Sequence, residues 1–231
     1  MHIIIQSFLN KEKKIKNKKR KWGEDVKNAD ENGLDIGLKN PLEGRKKKPR
    51  KTGLTMVLDK GTGLSGLRDL LEVCSRYIDF IKLGFGTSIL YEQDILKKKI
   101  NMIKEYKINV YPGGTLFEIA VTQNKLNEYI FRAHELGFDA IEISNGTIIL
   151  SEELRSKAIF KAKSIGFKVL TEVGKKDKKN PLSLKEMQKQ IKKDINKGAD
   201  YIIIEGRESG RGISIYNQEG NIDMEMYEGI L

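Results

Sequence analysis

Ionic side chains recur at one kind of place in this sequence, at the ends of short, apolar, β-branched-rich runs. The run LTMVL (54–58) opens into Asp59-Lys60-Gly61. YIDFIKL (77–83) carries Lys82 and leads into Gly84-Phe85-Gly86-Thr87-Ser88. INVY (108–111) opens into Pro112-Gly113-Gly114-Thr115. AIEI (140–143) carries Glu142 ahead of Ser144-Asn145-Gly146-Thr147, and KVLTEV (168–173) carries Glu172 ahead of Gly174-Lys175-Lys176. YIIIE (201–205) ends on Glu205 and passes into Gly206-Arg207-Glu208-Ser209-Gly210.

These residue types suit a multiply charged anion. Lys60, Lys82, Lys175, Lys176 and Arg207 are cations. The Gly-flanked hydroxyls of Thr87, Ser88, Thr115 and Ser209 stand where backbone N–H groups can approach a phosphate closely. Asp59, Glu142, Glu172 and Glu205 are hard oxygen donors with no His or Cys beside them, which favours Mg²⁺ over Zn²⁺. The expected ligand is a phosphorylated carboxylate bridged to the protein by Mg²⁺. A lysine buried among other cations would have a lowered pKa and could move a proton. Any one of the four acids can equally be a paired structural ion, and any one glycine a plain turn residue.

The elements that must position these groups are legible from periodicity. Between the runs lie amphipathic stretches with apolar residues on one helical face: Leu67, Leu70, Leu71 and Cys74; Leu96, Ile100 and Ile103; Leu126, Tyr129, Ile130 and Ala133; Leu154, Ala158, Ala162 and Ile165; Leu184, Met187, Ile191 and Ile195. Lys97–Lys99 and Lys192–Lys193 read as solvated helix faces. Gly137, Gly166 and Gly198 suit the left-handed position that ends a helix, and Ser183 with Glu186 forms a capping box. Strand–helix alternation predicts a parallel sheet under helices, with the working groups at the C-terminal strand ends. Six strands are countable, which leaves two architectures: an open six-stranded sheet, or a barrel that ends before its last two units.

Composition narrows the class. The 231 residues are 39% hydrophobic and 32% charged, enough apolar chain for one sizeable core. No apolar run reaches the ~18 residues of a membrane span, and MHIIIQSFLN lacks the basic flank and cleavage site of a secretory signal. A single cysteine, Cys74, excludes an internal disulfide and points to a reducing compartment, so a cytoplasmic location is expected. The net charge of +11 is uneven: residues 1–52 hold 16 Lys and Arg against 7 Asp and Glu, while the rest balances 27 against 25. The chain therefore reads as a basic, partly disordered arm (1–52) followed by a catalytic body (53–231). A nearly neutral body argues against nucleic acid as the main partner. Whether the chain forms a homo-oligomer stays open.

Taken in order, TMVLDKG (55–61), YIDFIKLGFGTS (77–88), VYPGGTLFE (110–118), IEISNGT (141–147), LTEVGKK (170–176) and YIIIEGRESG (201–210) resemble the phosphosulfolactate synthase family. The resemblance implies a TIM-type (β/α)₈ barrel lyase that adds sulfite to phosphoenolpyruvate with Mg²⁺, giving (2R)-phospho-3-sulfolactate on a route to coenzyme M or sulfolactate. It also implies that Lys176 is the general acid that protonates C2. Chemistry and position assign Asp59, Glu142, Glu172 and Glu205 to the metal. They assign Lys60, Lys82, Lys175, Arg207 and Ser209 to the substrate anions. Family members continue past the sixth unit, so the expected architecture is a barrel ending after about six βα units. Other readings are an inactive fragment, a non-catalytic relative with a stress-protective role, a polyanion binder working through the arm, and an aldolase-like lyase with Lys82 or Lys176 as a Schiff-base nucleophile.

Overall fold

A computed structural model provides the fold and describes residues 3–6, 46–175, 181–206, 211–212 and 214–230. After β1 (Ile3–Gln6) the order is β2 (Met56–Asp59), α1 (Leu64–Cys74), β3 (Phe80–Leu83), α2 (Gln93–Glu105) and β4 (Asn109–Pro112). There follow α3 (Gly114–Thr122), α4 (Leu126–Leu136), β5 (Ala140–Ile143), α5 (Glu152–Ile165), β6 (Lys168–Val173), α6 (Leu184–Lys197), β7 (Tyr201–Ile204) and α7 (Met224–Ile230). The six expected strands are all present, each within a few residues of its run. Two elements were not foreseen: β1, and α3 as a separate helix between β4 and α4. The predicted helix ends hold, because Gly137, Gly166 and Gly198 are left-handed with φ of 94°, 105° and 110°. Ser183 and Glu186 make the reciprocal capping bonds that open α6.

The strands form two parallel sets, β2-β3-β4 and β5-β6-β7, with β1 antiparallel along the outer edge of β7. This is an α/β fold of parallel sheets and alternating helices. Among the described residues the ladders form two sheets, an arrangement compatible with the barrel of about six βα units expected from sequence. Side chains bridge the gap between β4 and β5: the Val110 N–H donates to Asp139 Oδ1 at 2.8 Å. The same device recurs at every second strand. Thr55 N–H donates to Asp79 Oδ2 and Val169 N–H to Asp200 Oδ2, each at 2.8 Å. Each aspartate immediately precedes its strand, as in YIDFIKL, GFDAIEI and GADYIII.

Strand period two gives each sheet two distinct faces. Ile81, Leu83, Val110, Ile141, Ile143 and Val169 pack against the helices. Phe80, Tyr111, Ala140, Leu170 and Ile203 form an inner cluster drawn from both sheets. Phe80 of β3 meets Tyr201 of β7 edge-on, with ring centroids 5.1 Å apart, so the two inner faces touch across the interior. The end of the basic arm also docks on the body. Arg50 is buried and its Nε lies 3.0 Å from Asp79 Oδ2, which ties residues 46–52 to the base of β3. The rest of the Lys-rich arm, residues 7–45, lies outside the described residues. No helix among the described residues is long and apolar enough to cross a membrane.

Candidate active site

Above the apolar inner cluster, toward the C-terminal strand ends, the inner face turns ionic. Lys82 of β3, Glu142 of β5, Glu172 of β6 and Glu205, the residue after β7, are all buried, Glu142 completely. Lys82 Nζ donates to Glu142 Oε1 at 2.8 Å. The same oxygen accepts the Gly114 N–H at 3.1 Å, so Glu142 sits at the positive end of α3. Its second oxygen, Oε2, is buried with no hydrogen-bond partner among the described residues. Ser144 Oγ reaches Glu172 Oε1 at 2.9 Å.

The electrostatics follow from this crowding. Burial works against the Lys82 ammonium, yet Glu142, Glu172 and Glu205 outweigh it and hold its pKa above the ordinary lysine value. The sequence reading of a lysine neutralised by neighbouring cations is therefore corrected for Lys82. Its neighbours are acids, it stays charged, and a charged amine is a poor Schiff-base nucleophile. Burial pushes the Glu142 carboxyl up; Lys82 opposes that and Glu172 adds to it, leaving it above the usual carboxylate range. Tyr111, buried beneath, is raised well above its ordinary value by desolvation and by the same two carboxylates.

The other expected residues divide. Asp59 turns to its own loop: Oδ1 accepts the N–H groups of Gly61 (2.9 Å) and Thr62 (2.8 Å), and Oδ2 lies 2.6 Å from Lys99 Nζ. Asp59 is thus committed to a buried cation and does not gather with Glu142. Lys60 lies over the exposed Phe85 ring, 5.7 Å from its centroid. Lys175 donates to the carbonyls of Asn145 (2.8 Å) and Ile148 (3.4 Å), and burial lowers its pKa. Thr87 Oγ1 donates to the Gly84 carbonyl at 2.8 Å, so that hydroxyl is used locally. Lys176, Arg207 and Ser209 lie outside the described residues.

Buried charged groups that were not anticipated include Lys99, Glu118 and Arg155. Lys99 is fully buried between Asp59, the Thr62 carbonyl and Tyr91, which corrects its reading as a solvated helix residue. Glu118 of α3, also buried, accepts bonds from the Ser144 hydroxyl, the Gly146 and Thr147 N–H groups and the Thr147 hydroxyl. Arg155 of α5 forks onto Asp194 of α6, with Nε–Oδ1 at 2.8 Å and Nη2–Oδ2 at 2.5 Å. It also donates to the Glu172 carbonyl (3.0 Å) and the Asn145 side chain (3.3 Å). An Arg155→Lys variant keeps the charge and loses the fork. It should cost about 1–2 kcal/mol, read as a lower urea midpoint at unchanged slope; a midpoint equal to the native one would show that the fork contributes nothing.

The donor set bears on metal chemistry. Among the described residues, no three His, Cys, Asp or Glu side chains converge to hold one ion. An all-protein cage from the four acids is therefore not assembled. Mg²⁺ commonly takes one or two carboxylates and completes its shell with water and substrate oxygens. Glu142 Oε2, buried and unpartnered, fits that smaller demand. A separate concavity of about 460 Å³ lies among α2, α3 and α4, walled by Leu96, Leu116, Tyr129 and Phe138, and contains none of these acids.

A family model described as (2R)-phospho-3-sulfolactate synthase (ComA) matches residues 43–231. The chain is 51% identical over 172 residues to the phosphosulfolactate synthase of Methanocaldococcus jannaschii, covering 74% of this chain and 68% of that protein. Identity to the enzyme of the same name from Methanothermobacter thermautotrophicus is 46% over 180 residues, covering 77% and 70%. For that of Bacillus subtilis it is 38% over 200 residues, covering 85% and 77%.

Proposed function

Because the chain belongs to the phosphosulfolactate synthase family, we propose that it adds sulfite to phosphoenolpyruvate, giving (2R)-phospho-3-sulfolactate. In this reading the two sheets are parts of one (β/α)₈-type barrel with its active site at the C-terminal strand ends. The observation that carries it is the buried Lys82–Glu142 pair seated on the Gly114 N–H, a charged constellation placed where parallel strands end. The sulfur lone pair of sulfite attacks the methylene carbon and a C–S bond forms. The double-bond electrons pass to C2 and its carboxylate, and a proton from Lys176 completes the addition with no group leaving. Lys60, Lys82 and Arg207 bind and orient the anionic substrates, and Lys175 and Ser209 are assigned to the same anions. Glu142, through Oε2, and Glu172 would hold Mg²⁺, with Glu205 near enough to balance charge. The ion would supply positive charge where the substrate carboxylate gains electron density. The product would feed coenzyme M or sulfolactate formation, in the cytoplasm.

The test is phosphoenolpyruvate consumption with and without sulfite, with and without a chelator, on the native chain and on Lys176→Ala. Turnover that needs sulfite and the divalent ion, and that is lost in the variant, is the expected result. Consumption independent of sulfite would overturn the reading.

A further inference from the structure

The β5–α5 loop aims four donors at one point. They are the Ser144 hydroxyl, the Gly146 N–H (2.8 Å), the Thr147 N–H (3.1 Å) and the Thr147 hydroxyl. Two successive backbone N–H groups flanked by hydroxyls form a nest for an anion. In the sequence, residues 144–147 are the Gly- and hydroxyl-bearing stretch that follows Glu142. In the structure the nest is already filled, by the carboxylate of Glu118, which is only 3% exposed.

The opposite side of the loop carries the opposite charge. Lys175 takes the carbonyls of Asn145 and Ile148, and Arg155 takes the Asn145 side chain. The loop dipoles therefore run between a buried carboxylate at their N–H ends and an ammonium at their C=O ends. Ser144 extends the arrangement into the site. Its hydroxyl lies between Glu118 and Glu172, 2.9 Å from Glu172 Oε1, and has one proton to give. Gly146 N–H, 3.3 Å from Ser144 Oγ, steadies that hydroxyl.

We propose that Glu118 is the resident anion of this nest: a positioning residue that holds the β5–α5 loop closed and, through Ser144, sets the orientation of Glu172. Its link to turnover rests on the synthase reading; its occupation of the nest does not. With the Glu118 carboxylate removed, the nest becomes a site for a free small carboxylate.

The probe is formate, used with Glu118→Ala. The variant should lose turnover about 10- to 100-fold, the usual effect of removing a group that orients a ligand-bearing residue. Formate should restore part of it saturably, and should raise the variant's melting temperature while leaving that of the native chain unchanged. Glu118→Asp and Glu118→Gln separate charge from shape. Aspartate keeps the anion and should retain more turnover, although glutamine is the closer isostere and brings an N–H₂ against N–H donors. A formate-dependent rise in melting temperature, with no sulfite-dependent turnover even in the native chain, would support the nest and sink the synthase reading. Formate that changes neither the melting temperature nor the turnover of Glu118→Ala would overturn the proposal, as would Gln outperforming Asp.

Discussion

Lys82→Met is expected to lower stability by about 3–5 kcal/mol, the usual consequence of deleting one partner of a buried ion pair. The side-chain volume is nearly kept, so the loss comes from charge. Glu142 is left fully buried with only the Gly114 N–H on one oxygen. Burial already raises the Glu142 pKa, and without Lys82 it rises further. An acid whose folded pKa lies above its unfolded value of ~4.3 keeps, on folding, a proton that the unfolded chain gives up. Stability of the variant should therefore be greatest in acid and fall as the pH rises from that unfolded value through the raised folded one. In the native chain the raised pKa of Lys82 keeps its stabilising charge through neutral pH; that contribution fades only above the ordinary lysine range. The Glu142 pKa is raised in the native chain as well, but less, so melting curves from pH 4 to 8 should show the smaller loss in the native chain and the larger in the variant. Adding Glu142→Gln to Lys82→Met removes the orphaned charge and should recover much of the loss. A variant as stable as the native chain, with the same pH profile, would show that the pair is not coupled as described.

Gly114→Ala should lower turnover about a hundredfold, the effect of moving catalytic groups by roughly 1 Å. Gly114 is the first residue of α3 and its backbone is not left-handed, so helix propensity alone predicts a gain of up to ~1 kcal/mol for alanine. Space decides otherwise. A Cβ there would stand 2.5 Å from Ser144 Cβ and 2.6 Å from Glu142 Oε1. Ser144 Cβ is fixed by its backbone and the Glu142 oxygen is fixed by Lys82, so neither can yield cheaply. The start of α3 must shift, the Gly114–Glu142 bond lengthens, and overpacking costs about 1–3 kcal/mol. Gly63→Ala is the control, because a Cβ at that N-cap of α1 meets nothing within 4 Å. Steady-state kinetics on both variants, beside their melting temperatures, test the argument. Equal activity in the two would remove close approach at Gly114 as a requirement.

What could be read without the fold was whatever local geometry fixes. Period two and period 3.6 located all six parallel strands and most helices, and glycine's freedom at positive φ ended three of them. A charge after an apolar strand run marked Lys82, Glu142, Glu172 and Glu205 as one edge. The buried positioning residues were legible only as anomalies. Lys99 shares a face with Leu96, Ile100 and Ile103; Glu118 lies next to Phe117; Arg155 falls in line with Ala158, Ile159 and Ala162. A charge inside an apolar stripe signals a buried ion. Periodicity gives its face and is silent on its partner.

The partners come from segments far apart in the chain. Lys99 finds Asp59, Glu118 finds residues 144–147, and Arg155 finds Asp194. Those pairings, and with them which acids remain open to a ligand, were decided only by tertiary structure. A buried charge is tolerated only where packing brings an opposite charge or a set of donors within about 3 Å, and one-dimensional spacing carries no such distance.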